Sequence, residues 1–390
     1  MEKKPISREE LLFRLGHVVV LMGGMSVERE ISLLSGQAVY AGLVRLGVDC
    51  EVIDVGANVV EQLQLAKPDL VFNMLHGQFG EDGVVQGVFE AMAIPYTGSG
   101  VLTSALAMDK VRTKLIWQRL GLNTAEFVLL DSKTDWDSVI AELGQVVVKP
   151  VNGGSSLGIA ISGTGQELKD QYAESAKFDA QVFAEKCIFG KEFSVGVIEG
   201  ELLPSIELET DREFFNFDAK YVDENTRVIC PPNLEPSELK SLEELVLQAY
   251  ESLSCEGLAR VDVMQDSDGK FYLLEVNTVP GMTSHSFIPL AAEKAGLDFD
   301  ELLSAKLDEP VFTTRLSATV TVHNLNRAFN ALLDELDLKT GADGRTRTLY
   351  SWRHFYATQD LERGVSTHAL SRQLGNSTEM IDRHYSKYSP

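Results

Sequence analysis

Apolar residues recur along this chain with two periods, and the alternation between them predicts its elements. His17 to Met22 (HVVVLM) is a nearly unbroken apolar run of strand length, rich in Val and ended by Gly23-Gly24. From about Val27 to Leu46 the spacing becomes helical. Strands at Glu51 to Val55 and Asp69 to Leu75, then a helix near Val84 to Ala93, continue the rhythm and predict a parallel sheet.

A second unit is expected after Gly98-Ser99-Gly100, with one long helix containing Asp109 and Lys110. Val146 to Val148 read as a short strand running into Lys149-Pro150 and the Gly/Ser-rich stretch from Asn152 to Gly158. Strands follow at Gln181 to Lys186 and Glu192 to Val197, and a helix at Ser237 to Leu253. Ala259 to Asn277 reads as two alternating strands joined by a turn at Asp268-Gly269. Helices are expected at Ser284 to Ala295 and Glu301 to Leu307. The polar stretch from Leu208 to Pro232 holds Phe214, Phe215, Phe217 and Tyr221, which argue for a loop that closes onto something.

At 390 residues, two to four domains are expected. The net charge of −23 argues against a chain that as a whole binds nucleic acid or anionic membrane. That charge is uneven: residues 1–310 carry −25 and residues 311–390 carry +2, so the end of the chain reads as a different module. Cys50, Cys187, Cys230 and Cys255 show no paired spacing and read as reduced, packed thiols. Residues 1–16 lack a signal peptide's apolar core, and no apolar run approaches the roughly 18 residues of a membrane span. A cytoplasmic protein with no membrane partner is expected.

The hairpin carries the most pointed chemistry. Arg260 and Asp262 share one face of the first strand, and Glu275 and Asn277 share one face of the second. If those faces coincide, hard oxygen ligands suited to Mg2+ stand beside a fixed cation; otherwise the face is simply solvated. His76, at the tip of the third strand, is a candidate substrate-side group or a hydrogen-bonded loop histidine. Glu28 is either a ligand or a carboxylate complementing a helix dipole. Lys149 beside the Gly/Ser loop suits phosphate, although GxxxxGK[ST] is absent and such loops are often plain turns. Glu185 and Glu192 face nucleotide or solvent.

Seven strings in order, GGMSVEREISLLSG, LHGQFGEDG, PYTGSGVLTSALAMDK, VVKPVNGGSSLG, FDAKY, ARVDVM and LLEVNTVPGMTSHS, make residues 17 to about 308 resemble the D-alanine–D-alanine ligases of the ATP-grasp superfamily. The resemblance implies an α/β fold of three units: a Rossmann-like substrate unit (1–109), a central ATP-grasp unit (110–197) and a C-terminal unit bearing the metal site (198–310). It implies ATP and two Mg2+ ions (Mn2+ as a substitute), D-alanine as substrate, and a homodimer. In that reading Lys110, Lys149 and Lys220 neutralise the triphosphate, and Ser155 and Ser156 sit in the loop over it. Asp262, Glu275 and Asn277 hold the metal. Glu185 and Lys186 flank adenine, and Glu192 takes the ribose hydroxyls.

The resemblance further implies that Glu28 binds the first substrate's ammonium near His76 and locks the closed loop through Ser155 and Tyr221. Arg260 and the Gly281 N–H stabilise the tetrahedral oxyanion, and Ser286 with its neighbour Phe287 holds the second carboxylate. Phe287 stands where relatives often carry Leu. Tyr221, rather than Phe, implies D-alanine instead of D-lactate as second substrate.

Residues 311–390 fit no part of this pattern. They resemble the end of a tyrosine recombinase (phage integrase) catalytic domain, with Arg353-His354 as the second arginine box and Tyr385 as the nucleophile. The first catalytic arginine, the strand lysine and the DNA-gripping domain are missing, and Tyr350 and Asn376 depart from the pattern. One arginine is too little charge for phosphoryl transfer, and +2 is weak for DNA. The expectation is a mostly helical, inactive appendage on a complete ligase, without a DNA partner.

Overall fold

The structure, a computed structural model, describes residues 12, 15–154, 158–209 and 227–307. The chain divides into two units, Met1–Arg315 and Leu316–Pro390, and every described residue lies in the first. The expected helical appendage therefore falls outside the described residues, as does most of the loop expected to close.

The first sheet is parallel, in the order β2-β1-β3, with β1 (His17–Gly23) between β2 (Asp49–Val55) and β3 (Leu70–Asn73). Val18 and Val20 join one core while Val19 and Leu21 join another. Both faces of β1 are covered, which is why its sequence is apolar throughout instead of alternating. One face packs against α1 (Arg29–Leu46), and the other against α2 (Val59–Ala66) and α3 (Val84–Met92).

The helix expected to run through Asp109 is two helices, α4 (Val101–Met108) and α5 (Lys110–Leu120). Asp109 leaves helical dihedrals, and its carboxylate accepts the Arg112 N–H at 2.8 Å as an N-cap. The break makes Lys110 the first residue of α5 and fixes where its ammonium points.

The second sheet is antiparallel, in the order β4-β7-β5-β6: β4 (Phe127–Leu130), β5 (Val146–Pro150), β6 (Ala160–Ser162) and β7 (Val182–Lys186). It is backed by α6 (Trp136–Leu143) and α7 (Gly165–Ser175), the latter opened by a reciprocal Thr164–Glu167 capping box. The third sheet runs β11-β10-β8-β12-β13, with β9 paired to β8. Its strands are β8 (Gly190–Ile198), β9 (Glu201–Leu202), β10 (Ile206–Glu209), β11 (Arg227–Ile229), β12 (Leu258–Asp266) and β13 (Phe271–Asn277). The strand bearing Glu192, grouped with the central unit from sequence, pairs with β12 along its whole length and so is built into this third sheet.

α8 (Pro236–Ser252) covers the third sheet through Leu242, Val246 and Ala249, against Val261, Val263 and Leu273. α9 (Phe287–Lys294) starts later than expected, with Ser286 at its N-cap position. α10 (Phe299–Leu307) returns to α1, where Arg45 forks onto Asp300 at 2.6 and 3.1 Å. The four cysteines are free. No described helix is long and apolar enough to cross a membrane.

Candidate active site

The hairpin register settles what the separate strands left open. Arg260 lies opposite Asn277 and Asp262 opposite Glu275, so the two polar faces coincide. The neighbouring strand adds Ser194 opposite Asp262, and its hydroxyl donates to Asp262 Oδ1 at 2.7 Å. Arg260 forks onto the same carboxylate, Nε to Oδ1 at 2.9 Å and Nη2 to Oδ2 at 2.8 Å. Asn277 Nδ2 donates to Oδ2 at 3.2 Å. These partners satisfy the hydrogen-bonding capacity of a buried carboxylate. The residue types suit Mg2+, two opposed carboxylates and an amide on one face, and in this structure the Asp262 oxygens are taken up by Arg260, Ser194 and Asn277.

At the tip of the first sheet, Gly23 and Gly24 turn the chain with positive φ into α1, leaving Glu28 just ahead of the helix. The Ser26 hydroxyl donates to the His76 carbonyl at 2.7 Å and accepts the Glu28 N–H at 3.2 Å. Ser32 accepts from Gly23 N–H at 2.9 Å and donates to the Met74 carbonyl at 2.6 Å. These two serines tie the ends of β1 and β3 together and so hold Glu28 near His76. The Glu28 carboxylate lies against two glycines: a Cβ on Gly77 would stand 2.7 Å from Glu28 Oε2, and one on Gly154 2.6 Å from it. The Gly/Ser loop thus begins in contact with Glu28.

Glu81 completes this corner, its Oε1 accepting the Gly77 N–H at 2.9 Å. It keeps some accessible surface toward the cavity but is enclosed by protein, and confined water screens poorly. Burial, and next the charge of Glu28, push its carboxyl up to about 8. Burial and the neighbouring Glu28 thus favour the protonated form of Glu81 at neutral pH, which lowers the negative charge of this corner.

Lys110 bridges two elements, its ammonium donating to the Gly153 carbonyl at 2.5 Å and standing 3.1 Å from Glu275 Oε2. Glu185, expected beside adenine, has both oxygens on ammonium groups: Oε1 is 2.5 Å from Lys149 Nζ and Oε2 2.6 Å from Lys114 Nζ. Burial alone would raise the Glu185 carboxyl, but the two lysines outweigh it and hold it down to about 2. Burial likewise pulls Lys149 down, while the charge and hydrogen bond of Glu185, then Glu275 and Glu192, leave it above its ordinary value. Glu192 thus faces the same region. Lys186, at the end of β7, is exposed.

The loop after β13 returns to the first sheet. Ser35 on α1 accepts the Met282 N–H at 3.2 Å, and a Cβ on Gly281 would stand 2.8 Å from Ser286 Oγ. Ser286 Oγ accepts the Thr283 N–H at 3.0 Å. The Phe287 ring lies under Arg260, whose Cζ is 5.6 Å from the ring centroid. A cavity of about 540 Å3 joins these parts, bounded by Glu28, His76, Glu81, Lys110, Gly153, Gly154, Arg260, Glu275, Asn277 and much of the 278–287 loop.

Of the residues singled out from sequence, Glu28, His76, Lys110, Arg260, Glu275, Asn277, Gly281, Ser286 and Phe287 share that cavity wall. Asp262 sits behind Arg260, and Lys149 and Glu185 form a buried cluster of their own. Ser155, Ser156, Lys220, Tyr221, Arg353 and Tyr385 lie outside the described residues. Glu81, Lys114 and Ser194 were not singled out from sequence. The signal for Lys114 was its place on the buried stripe of α5, one turn from Lys110 and one from Trp117.

The comparisons with known proteins agree with this geometry. A family model described as the D-ala D-ala ligase N-terminus matches residues 54–99, and one described as the C-terminus matches residues 116–308. D-alanine–D-alanine ligases of Saccharophagus degradans and Chromohalobacter salexigens are similar to this chain. The first is 48% identical over 290 residues, 74% of this chain and 92% of that protein. The second is 49% identical over 296 residues, 76% of this chain and 94% of that protein. Among solved structures, the D-alanine–D-alanine ligase of Bacillus anthracis complexed with ATP superposes with a TM-score of 0.65 at 32% identity, covering 75% of this chain and 96% of that one. A D-Ala:D-Ser ligase from Enterococcus faecalis gives 0.65 at 28% identity, covering 75% and 98%. Shared motifs, matching models and a common fold lead to one conclusion: the chain belongs to the D-alanine–D-alanine ligase family.

Proposed function

We propose that this chain joins two D-alanine molecules at the expense of ATP, through a D-alanyl phosphate, to make the dipeptide used in peptidoglycan precursors. The observation that carries the reading is one cavity wall shared by an anionic corner (Glu28, Glu81), a cationic edge (Lys110, Arg260) and Glu275 with Asn277, backed by Asp262 behind Arg260. The 92–94% coverage of relatives about half identical in sequence supports it.

Glu28, backed by protonated Glu81 and near His76, receives the first D-alanine's ammonium and leaves its carboxylate facing Lys110. The carboxylate oxygen attacks the γ-phosphorus and ADP departs. Lys110, Lys149 and Lys220, with Ser156, take up charge on the phosphates. Lys186 and Glu192 face the nucleoside, with Glu185 behind them. Asp262, Glu275 and Asn277 would hold Mg2+, which when bound would supply charge neutralisation for the phosphates. The second D-alanine is held at its carboxylate by Ser286 and its neighbour Phe287. Its neutral amine attacks the acyl carbon, Arg260 and the Gly281 N–H hold the oxyanion, and phosphate leaves as the nitrogen loses its proton. Ser155 and Tyr221 close the site over Glu28, and Tyr221 favours D-alanine over D-lactate as the second substrate. The reading further includes a cytoplasmic homodimer whose recombinase-like tail, with Arg353 and Tyr385, is catalytically inert and takes no DNA.

The test is incubation of the full chain with ATP, Mg2+ and D-alanine, with D-lactate in parallel, and identification of the products by mass. D-alanyl-D-alanine and ADP in equal amounts, abolished by a chelator, is the expected result. D-alanyl-D-lactate as the main product at neutral pH, or ATP turnover without dipeptide, would overturn the reading.

A further inference from the structure

Three charged side chains meet in the interior where one of each pair of neighbours would suffice for neutrality. Lys114, 1% exposed, and Lys149, 11% exposed, both bind Glu185, which is 2% exposed. A buried lysine with a single carboxylate is a neutral pair. Taken by themselves, two lysines on one carboxylate carry +1, with Glu275 and Glu192 as more distant anions, and burial pulls the Lys114 ammonium down against the opposing pull of Glu185. Such an excess is tolerated where an anion completes the set.

Lys114 does not face that anion. Its ammonium donates inward to Thr124 Oγ1 at 2.5 Å, and that hydroxyl donates to the Leu273 carbonyl on β13 at 2.9 Å. Lys149 is the more exposed member of the cluster, and the charges of Glu275 and Glu192 reach it. Glu185 lies opposite Val147, so it and Lys149 project from the same face of the β5–β7 ladder. Lys114 comes from α5, four residues after Lys110, which meets Glu275. One helix thereby presses against both the second sheet, through Glu185, and the third, through Thr124 and Leu273.

We propose that Lys114 is a positioning residue for nucleotide binding: by occupying one oxygen of Glu185 it keeps Lys149 in place and only partly neutralised, so that Lys149 retains charge for a phosphate. The proposal rests on the reading of Lys149 as a phosphate-binding group. Removing the Lys114 charge leaves a closed Lys149–Glu185 pair with no net charge to offer. Removing the Glu185 charge as well restores a single positive charge on Lys149. An ion pair serving only stability predicts the opposite order, since each lost charge strips another contact.

The experiment is calorimetric titration of the full chain with Mg2+ and a non-hydrolysable ATP analogue, on the unaltered protein and on K114R, K114M and K114M/E185Q. One unit charge at buried-site distances is worth a few kcal/mol, so K114M should bind about tenfold or more weaker. K114R, which keeps the charge, should stay within about threefold, and the double variant should recover at least half of the lost binding free energy. Binding by K114M within about twofold of the unaltered chain, or a double variant weaker than K114M, would overturn the proposal. If K114M alone does not fold, the double variant decides: near-normal binding supports the charge argument, and weak binding by a folded protein refutes it. Absence of analogue binding by the unaltered chain would instead overturn the nucleotide reading itself.

Discussion

Replacing Phe287 with Leu tests whether Arg260 works from a fixed position. Arg260 is held on two sides: in its plane by the fork onto Asp262, at 2.9 and 2.8 Å, and on its face by the Phe287 ring at 5.6 Å. Its side chain is 14% exposed, so the ring acts on a mostly desolvated cation and is worth about 1 kcal/mol. Leucine keeps an apolar wall but has no π face. The fork survives, so Arg260 is loosened and not lost. If that 1 kcal/mol is felt where the oxyanion forms, turnover falls about fivefold. Initial-rate kinetics with varied D-alanine separate the outcomes. The account expects lower kcat with the KM of the first D-alanine unchanged, and recovery of kcat in Phe287→Trp or Phe287→Tyr. Unaltered kcat in Phe287→Leu would refute the positioning argument. A change confined to the KM of the second D-alanine would mean that Phe287 acts on substrate and not through Arg260.

Further predictions follow from the first-substrate corner and from α5. Gly154→Ala places a methyl 2.6 Å from Glu28 Oε2 and must displace that carboxylate. It should raise the D-alanine KM about tenfold with analogue binding little changed, and an unchanged KM would count against Glu28 as the ammonium ligand. Glu81 carries a carboxyl raised to about 8, so the folded chain keeps a proton that the unfolded chain releases above about 4.5. Stability from this group is complete below that lower value and is lost as pH rises toward 8. Urea unfolding should therefore show Glu81→Gln gaining on the unaltered protein between pH 5 and 8, whereas parallel profiles would contradict the assignment. Glu185, held at about 2, gives the reverse: its contribution is full above about 4.5 and disappears as pH falls toward 2. Asp109→Ala removes the cap that starts α5 and should cost about 1 kcal/mol in urea unfolding; no loss would mean that the helix break is set elsewhere.

Much of this architecture was legible before any coordinates, for identifiable reasons. The HVVVLM run announces a strand covered on both faces, and Val18 through Leu21 are indeed divided between two cores. The hairpin was legible because alternation and Asp268-Gly269 fix its turn, with Gly269 at a φ of +80°. What no single strand encodes is its partner, so the opposition of Asp262 to Glu275 and the arrival of Ser194 needed the register. Lys114 is hard to read from its helical stripe alone for a related reason. A lysine on a helix is ordinarily solvated, and only Glu185, 71 positions away in sequence, makes its burial affordable. Asp109 misled because apolar spacing continues through it, while the change of backbone direction depends on one capping bond. Glu185 was recognised as important, yet its two ammonium partners make it a counter-ion in this structure.

The central claim is that ATP activates the carboxylate of D-alanine in the cavity between Glu28 and Lys110. D-alanine carrying 18O in both carboxylate oxygens tests it most directly, with the released phosphate analysed by mass. An acyl-phosphate route transfers one labelled oxygen into each phosphate as the dipeptide forms. Dipeptide accompanied by unlabelled phosphate would contradict the account, because the carboxylate oxygen would then never have been bonded to phosphorus.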